Sequence, residues 1–470
     1  MQFGLLPVLL AAACSSNAGG GRDPGSQTAM GSDPGSGTRA PKGAAAAGSG
    51  DDGGDPDAGA LDAANEGASA DARSEGTDAV PRGAVPVPVD AADADAADAA
   101  NADGGVVRYE AGSAAQVDAA GTGTDGAGTG APGAQNDADA GPPGVRIVGR
   151  TVMGTSGPRF EWPGVHIAAR FQGTQVSVQL SDGNNQNEFE VIVDGTRLNK
   201  LVTKNGVSTY TLARGLANGP HDLVLWRRTE SYYNATEFLG FTGWSAGGGL
   251  LPPAPAPDRR IEIVGDSISV GYGIEGTSSC TSGQLETIEN NYLAYGPVAA
   301  RMLGADVVTT AWSGKGVYRN YSQPGPSSTD PTLPQLYDWT LAVEAAPAWD
   351  FAGYVPQAVV INLGTNDFST MGDPGQPYVD ALVAFEQHIR SKYPQAFIIL
   401  AIQFKAASSD QAPDVASALS TIQAAGDTNV ESFDLRPFSN SSGCQGHPDV
   451  AGGQAMGAAL AAEIQRVMNW

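Results

Sequence analysis

Ser267 stands where the apolar run Ile261-Glu262-Ile263-Val264 gives way to Gly265-Asp266, so its hydroxyl is expected at the end of a buried strand. β-branched residues suit a sheet interior, glycine lets backbone approach closely, and the turn that follows offers free N–H groups to an anion. A hydroxyl presented in this way can act as a nucleophile once a base removes its proton. Taken alone, a serine before a helix is more often a plain N-cap than a nucleophile. Its meaning depends on partners elsewhere in the chain.

Three later segments supply them. Ala311-Trp312-Ser313-Gly314-Lys315-Gly316 follows Val307-Val308-Thr309-Thr310, and Leu363-Gly364-Thr365-Asn366-Asp367 follows Ala358-Val359-Val360-Ile361. Gly443-Cys444-Gln445-Gly446-His447-Pro448-Asp449 precedes a helical stretch. Four blocks in this order resemble the SGNH hydrolase superfamily, in which Ser, Gly, Asn and His each come from a separate block; the resemblance covers about the last 210 residues. It implies Ser267 as nucleophile, His447 as base, and an oxyanion hole built from the backbone N–H groups of Ser267 and Gly314 and the side-chain amide of Asn366.

The residue types fit that chemistry. An imidazole titrates near neutrality and can take the serine proton. An oxyanion needs donors fixed in advance, each worth about 2.7–4 kcal/mol of barrier. Asparagine donates without bringing a competing charge, and glycine at 314 keeps a side chain out of the substrate's path. Of the four histidines, His166 and His221 lie in alternating or turn segments ahead of the hydrolase region. His388 has the spacing of a solvated helix face, which leaves His447 as the only one on a loop. One position departs from the superfamily pattern: where many relatives carry Asp three residues before the histidine, this chain has Cys444. The imidazole must then be oriented by a backbone carbonyl near Gln445 or by a carboxylate such as Asp434 or Asp449. Asp266 and Asp367 are expected to fix their loops by accepting local N–H groups.

The elements that must position these groups follow from pattern. Strands near 261–265, 306–311, 358–363, 396–402 and 428–433 alternate with helical stretches near 290–303, 377–392, 412–425 and 449–467. That is an α/β, three-layer, flavodoxin-like domain over 258–470, with a parallel sheet and its chemistry at the carboxyl edge. Residues 146–251 read differently. Short alternating runs such as Gln175–Leu180 and Glu188–Val193, separated by Asp194-Gly195, Asn205-Gly206 and Asn218-Gly219-Pro220, give the rhythm of a β-sandwich. Pro252-Pro253-Ala254-Pro255-Ala256-Pro257 forms a stiff linker between the two. A sandwich ahead of an SGNH domain, with Glu289-Asn290-Asn291-Tyr292 and Gly314-Lys315-Gly316-Val317-Tyr318-Arg319-Asn320-Tyr321, resembles carbohydrate esterase family 2 from about residue 146 onward. The resemblance implies a jelly-roll N-terminal domain, removal of O-acetyl groups from xylan, glucomannan and related polysaccharides, and no metal or cofactor. Trp312 and Tyr318, and less strongly Trp339, are expected to stack on sugar faces or else to pack the core. A lipid or aryl esterase on the same scaffold and a non-catalytic glycan-binding lipoprotein remain as alternatives.

Residues 15–145 are Gly, Ala, Asp, Ser and Pro with one aromatic, Tyr109. Their 21 acidic and 6 basic residues carry about −15 of the formal net charge of −25. Such a segment buries too little apolar surface to offset chain entropy and is expected to be a disordered acidic tether. It argues against nucleic-acid binding, because it repels phosphates. Residues 1–14 resemble a bacterial lipoprotein signal, with a short apolar run, small residues and then Cys14 as the lipidated thiol. The expectation is an exported monomer, lipid-anchored to an outer membrane or cell surface, whose only contact with the bilayer is that lipid. With Cys14 so used, Cys280 and Cys444 remain as a disulfide pair between the serine side and the histidine loop.

Overall fold

The computed structural model describes residues 143–470 except 184–185 and 407–408, so Cys14, the signal segment and most of the acidic segment lie outside the described residues. From 145 to 251 the chain forms a ten-stranded sheet in which every pairing is antiparallel. Two long strands, β1 (His166–Asp182) and β3 (Gly206–Arg227), run side by side, with register breaks between Gly173 and Gln175 and between Val176 and Ser177. Such bulges bend long strands. The shorter β2 (Glu188–Val193) pairs with β3 and ends in the Asp194-Gly195 turn, whose φ values of 51° and 74° are those an Asp-Gly hairpin requires. Phe160, Trp162, Phe171, Val178, Phe189, Leu225 and Phe238 are buried in its core.

The second half is built on five parallel strands: β4 (Arg260–Gly265), β5 (Asp306–Ala311), β6 (Ala358–Asn362), β7 (Phe397–Ile402) and β8 (Val430–Asp434). Their order across the sheet is β5-β4-β6-β7-β8. Side chains alternate between the two faces, as the period of two demands. Ile261, Ile263, Val360 and Ile399 meet Tyr295 and Leu303 of α2 (Tyr295–Leu303) and Met456, Leu460 and Ile464 of α6 (Val450–Met468). Val264, Val359, Ile361 and Leu400 meet Leu382 and Phe385 of α4 (Gln376–Lys392) and Val415 and Ile422 of α5 (Ala412–Ala424). Helices therefore cover both faces. Strand order reverses at β4, with β5 added on one side and β6 on the other, and the crevice beyond the carboxyl ends at such a switch point is where this architecture binds ligands.

The two halves share a buried seam. Arg150 reaches across to Glu262, in the middle of β4, at 3.0 Å, with side chains only 0% and 1% exposed. Glu262 also accepts from Tyr337 Oη at 2.8 Å and Thr310 Oγ1 at 2.9 Å. Arg146 pairs with Asp306 at 2.6 Å, and Trp226 Nε1 donates to Asn291 Oδ1 at 3.2 Å. The Glu289–Tyr292 segment thus stands at the junction of the two halves.

Candidate active site

Ser267 opens the single-turn helix α1 (Ser267–Val270), directly after β4. Asp266 caps this turn, its Oδ1 accepting Ile268 N–H at 3.1 Å. His447, just ahead of α6, brings Nε2 to 2.8 Å from Ser267 Oγ. The other ring nitrogen, Nδ1, lies 3.1 Å from the carbonyl oxygen of Cys444. A carbonyl can only accept, so Nδ1 carries the hydrogen and Nε2 turns its lone pair to the serine hydroxyl. Of the orienters left open by the sequence, the carbonyl is the one in place, one residue before Gln445. Asp449 instead caps α6, accepting Gly452 N–H at 2.9 Å and Asn440 Nδ2 at 2.6 Å. Asp434 pairs with Arg436 at 2.7 Å.

Cys444 is itself tightly held. It is disulfide-bonded to Cys280 with Cα atoms 5.5 Å apart, and its N–H donates to Gly273 O at 3.1 Å. Tyr272 lays its ring 4.6 Å from the imidazole, centre to centre, and donates its hydroxyl to Gln445 Oε1 at 3.0 Å. Burial holds the His447 imidazole below its usual pKa, which keeps it neutral and able to accept a proton.

Gly314 follows β5 in a loop fixed from two sides. Asp367 accepts the N–H groups of Val317, Tyr318 and Arg319 at 3.0, 2.8 and 2.9 Å, and Ser313 N–H donates to Glu230 Oε2 at 2.7 Å. Glycine at 314 has a backbone reason as well: its φ is 80°, while no protein atom beyond its chain neighbours lies within 4 Å of where a Cβ would stand. Asn366, on the short helix α3 (Thr365–Phe368) after β6, donates Nδ2 to Lys315 O at 2.8 Å and has a longer contact, 3.4 Å, with Asp266 Oδ2. Ser267, Gly314, Asn366 and His447 thus all stand on loops or first turns at the carboxyl edge of the sheet. Burial, then the nearby Asp367 carboxylate, push the Asp266 carboxyl up to about 7.

Trp312 and Tyr318 are half-buried and packed against the core, with Lys315 Nζ 5.1 Å from the Trp312 ring centre. His388 is bonded to Asp338 at 2.8 Å rather than simply solvated. Tyr272, against the imidazole, and Glu230, against the Gly314 loop, have no place in the sequence reading, and Glu289 enters it only within the Glu289–Tyr292 block. Tyr272 sits in the Gly271-Tyr272-Gly273 turn that closes the helix opened by the serine, which is the signal that could have pointed to it.

A parallel sheet of this order with the Ser–His pair at its carboxyl edge defines a GDSL/SGNH-type hydrolase domain. Residues 263–455 match the GDSL-like lipase/acylhydrolase family, and residues 147–255 match the N-terminal region of carbohydrate esterase 2. The chain is 37% identical to the cellulase/esterase CelE of Acetivibrio thermocellus over 71% of its own length and 40% of that protein's, so it spans less than half of that relative. It is 31% identical to an acetylxylan esterase/glucomannan deacetylase of Cellvibrio japonicus, over 65% of this chain and 85% of that one. A family two carbohydrate esterase from Clostridium thermocellum, solved in complex with cellohexaose, is 35% identical with a TM-score of 0.64, covering 70% of this chain and 100% of that one. The chain belongs to carbohydrate esterase family 2, a family of carboxylic ester hydrolases.

Proposed function

We propose that this protein is a serine esterase that removes O-acetyl groups from plant-type polysaccharides such as xylan and glucomannan. The observation that carries the reading is the 2.8 Å contact between His447 Nε2 and Ser267 Oγ, with the ring tautomer set by the Cys444 carbonyl. His447 takes the hydroxyl proton as Ser267 Oγ bonds to the acetyl carbon. The resulting oxyanion is met by the N–H groups of Ser267 and Gly314 and by the Asn366 amide. Collapse of this intermediate breaks the bond to the sugar oxygen, which receives the proton from the imidazolium. A water then attacks the acetyl-serine with His447 again as base, and acetate leaves. Trp312 and Tyr318 supply ring faces for the sugar, and the long bent strands of the N-terminal half support its reading as a jelly-roll. The cysteine after a short apolar run supports an exported protein tethered through lipid on Cys14, with residues 15–145 as spacer.

The test is acetate release from acetylated xylan and glucomannan, beside 4-nitrophenyl acetate and butyrate, for the wild type and Ser267→Ala. Polysaccharide turnover lost in the variant supports the reading. Preference for butyrate with no release from polysaccharide favours a lipid or aryl esterase. The cellohexaose complex of the Clostridium relative favours one further reading, that the same cleft also holds an unacetylated glucan chain. Calorimetric titration of Ser267→Ala with cellohexaose measures that directly, and no heat of binding rules it out.

A further inference from the structure

Glu230 belongs to the all-β half, just ahead of the short 3-10 turn Ser231–Tyr233, yet its carboxyl group lies against the loop that carries Gly314. Its Oε2 accepts Ser313 N–H at 2.7 Å, and its own N–H donates to Glu289 Oε1 at 2.5 Å. The two side chains are 4% and 0% exposed and their carboxyl groups face one another. Glu289 Oε2 is buried and receives no N–H. Burial raises the pKa of both carboxyls, and for Glu289 the facing Glu230 carboxylate raises it further. Lys315 and Arg227 are the cations whose charge reaches the pair. Neither neutralises it by contact: Lys315 Nζ is engaged by Asp330, and Arg227 by Thr229 O, Thr236 Oγ1 and the main-chain oxygens of Glu230 and Asn234.

Burying two acids side by side is costly, and packing alone does not call for it. What the arrangement supplies is a fixed acceptor at Ser313 N–H, one residue before Gly314. An N–H donating to a carboxyl oxygen that cannot swing away sets the direction of its peptide. Around Gly314 itself there is open space and a backbone at positive φ, so the loop has no side-chain packing of its own to define it at that point.

We propose that Glu230 is a positioning residue for the oxyanion loop, delivered by the N-terminal half and held against Ser313 by Glu289, so that the hole is assembled from both halves of the chain. The inference rests on the esterase reading above. It separates Glu230 from a residue that only stabilises the fold, because misplacing the loop weakens the transition state and leaves ground-state binding alone.

Two conservative variants of the intact chain decide it, assayed on 4-nitrophenyl acetate beside wild type and Ser267→Ala. Glu230→Gln keeps an acceptor oxygen at the same reach, and its amide N–H can donate to the Glu289 carboxyl. Glu230→Asp keeps the charge but draws the acceptor back by about 1.5 Å. The expected result is a fall in kcat of about tenfold or more for Glu230→Asp with KM changed less than about twofold, and a loss under about threefold for Glu230→Gln. Binding of phenylboronic acid, whose tetrahedral serine adduct places a hydroxyl in the same hole, should weaken in Glu230→Asp by a comparable factor. Wild-type kcat in folded Glu230→Asp, a loss carried by KM, or a loss in Glu230→Gln equal to that in Glu230→Asp overturns the inference while leaving the esterase intact. Wild-type turnover that survives in Ser267→Ala removes Ser267 as the nucleophile, and with it the serine-esterase reading and this inference.

Discussion

The carbonyl oxygen of Cys444 sits 3.1 Å from His447 Nδ1, at the position along the chain where an aspartate would otherwise have held the imidazole. A neutral carbonyl sets the tautomer and direction of the ring but adds no negative charge to the imidazolium that forms during attack. The nearby carboxylates are committed elsewhere, Asp449 to the cap of α6 and Asp434 to Arg436. Replacing them should therefore spare catalysis. Asp449→Ser, which keeps a capping oxygen, and Asp434→Asn are expected to hold kcat within about twofold, with a stability loss below about 1 kcal/mol for the cap. A hundredfold fall in kcat in either variant would show a carboxylate orienter.

The burial that lowers the His447 pKa has a kinetic signature. The neutral imidazole is the active form, so kcat/KM should rise with pH through a free-enzyme pKa below the ordinary value of 6.5 and be level above it. The pH profile on 4-nitrophenyl acetate reads this directly. An acid limb centred above 6.5 would contradict the desolvated ring.

The donors proposed for the oxyanion can be removed one at a time. Asn366→Ala should lower kcat by about 10²–10³ with a smaller change in KM. Gly314→Ala meets no clash but must hold φ near 80°, so it should cost about 1 kcal/mol of stability and shift the loop enough to lower kcat. Thermal melts and steady-state kinetics on both variants separate the two effects.

The Cys280–Cys444 bridge spans 164 residues and anchors the residue that orients the base. Cys280→Ser should lose about 2–4 kcal/mol of stability, since a long loop of the unfolded chain is no longer closed. It should also lower kcat on 4-nitrophenyl acetate more than it changes KM. Thiol titration of the denatured, unreduced protein gives an independent check, with Cys280 and Cys444 both unreactive.

Asp266 links stability to pH with a definite sign. Its folded carboxyl is raised to about 7, from an ordinary value of 3.8, so the folded state holds a proton that the unfolded state releases earlier. The associated stability is complete below about pH 4 and is lost as pH rises to about 7. Urea midpoints measured from pH 4 to 8 should fall over that window, and more weakly in Asp266→Asn. An identical slope in the variant would assign the effect to other groups.

Much of this was readable from residue order. The five parallel strands are short β-branched runs, and each of β4, β5 and β6 runs directly into the block that carries its chemistry, so hydrophobic pattern and motif reinforced one another. The orienter was readable only as a choice between a carbonyl near Gln445 and the Asp434 or Asp449 carboxylate, because a main-chain carbonyl has no residue type to single it out. The seam was not readable: Arg150 and Glu262 are 112 positions apart, and a lone glutamate in a strand gives no sign of its partner. The proline run at 252–257 reads as a linker between two domains and says nothing of their contact, since composition reports a change of pattern but not what faces what.

That seam bears on anyone who would trim the protein. Cutting within Pro252–Pro257 to keep the hydrolase half would remove Arg150 and leave Glu262 in the middle of the sheet without its cation, and would strip Trp226 from Asn291. A stranded interior charge costs about 3–5 kcal/mol, a large share of what holds a domain together. A fragment made that way would inherit a defect in its central strand, directly beneath the serine, and should be made only with compensating substitution at 262.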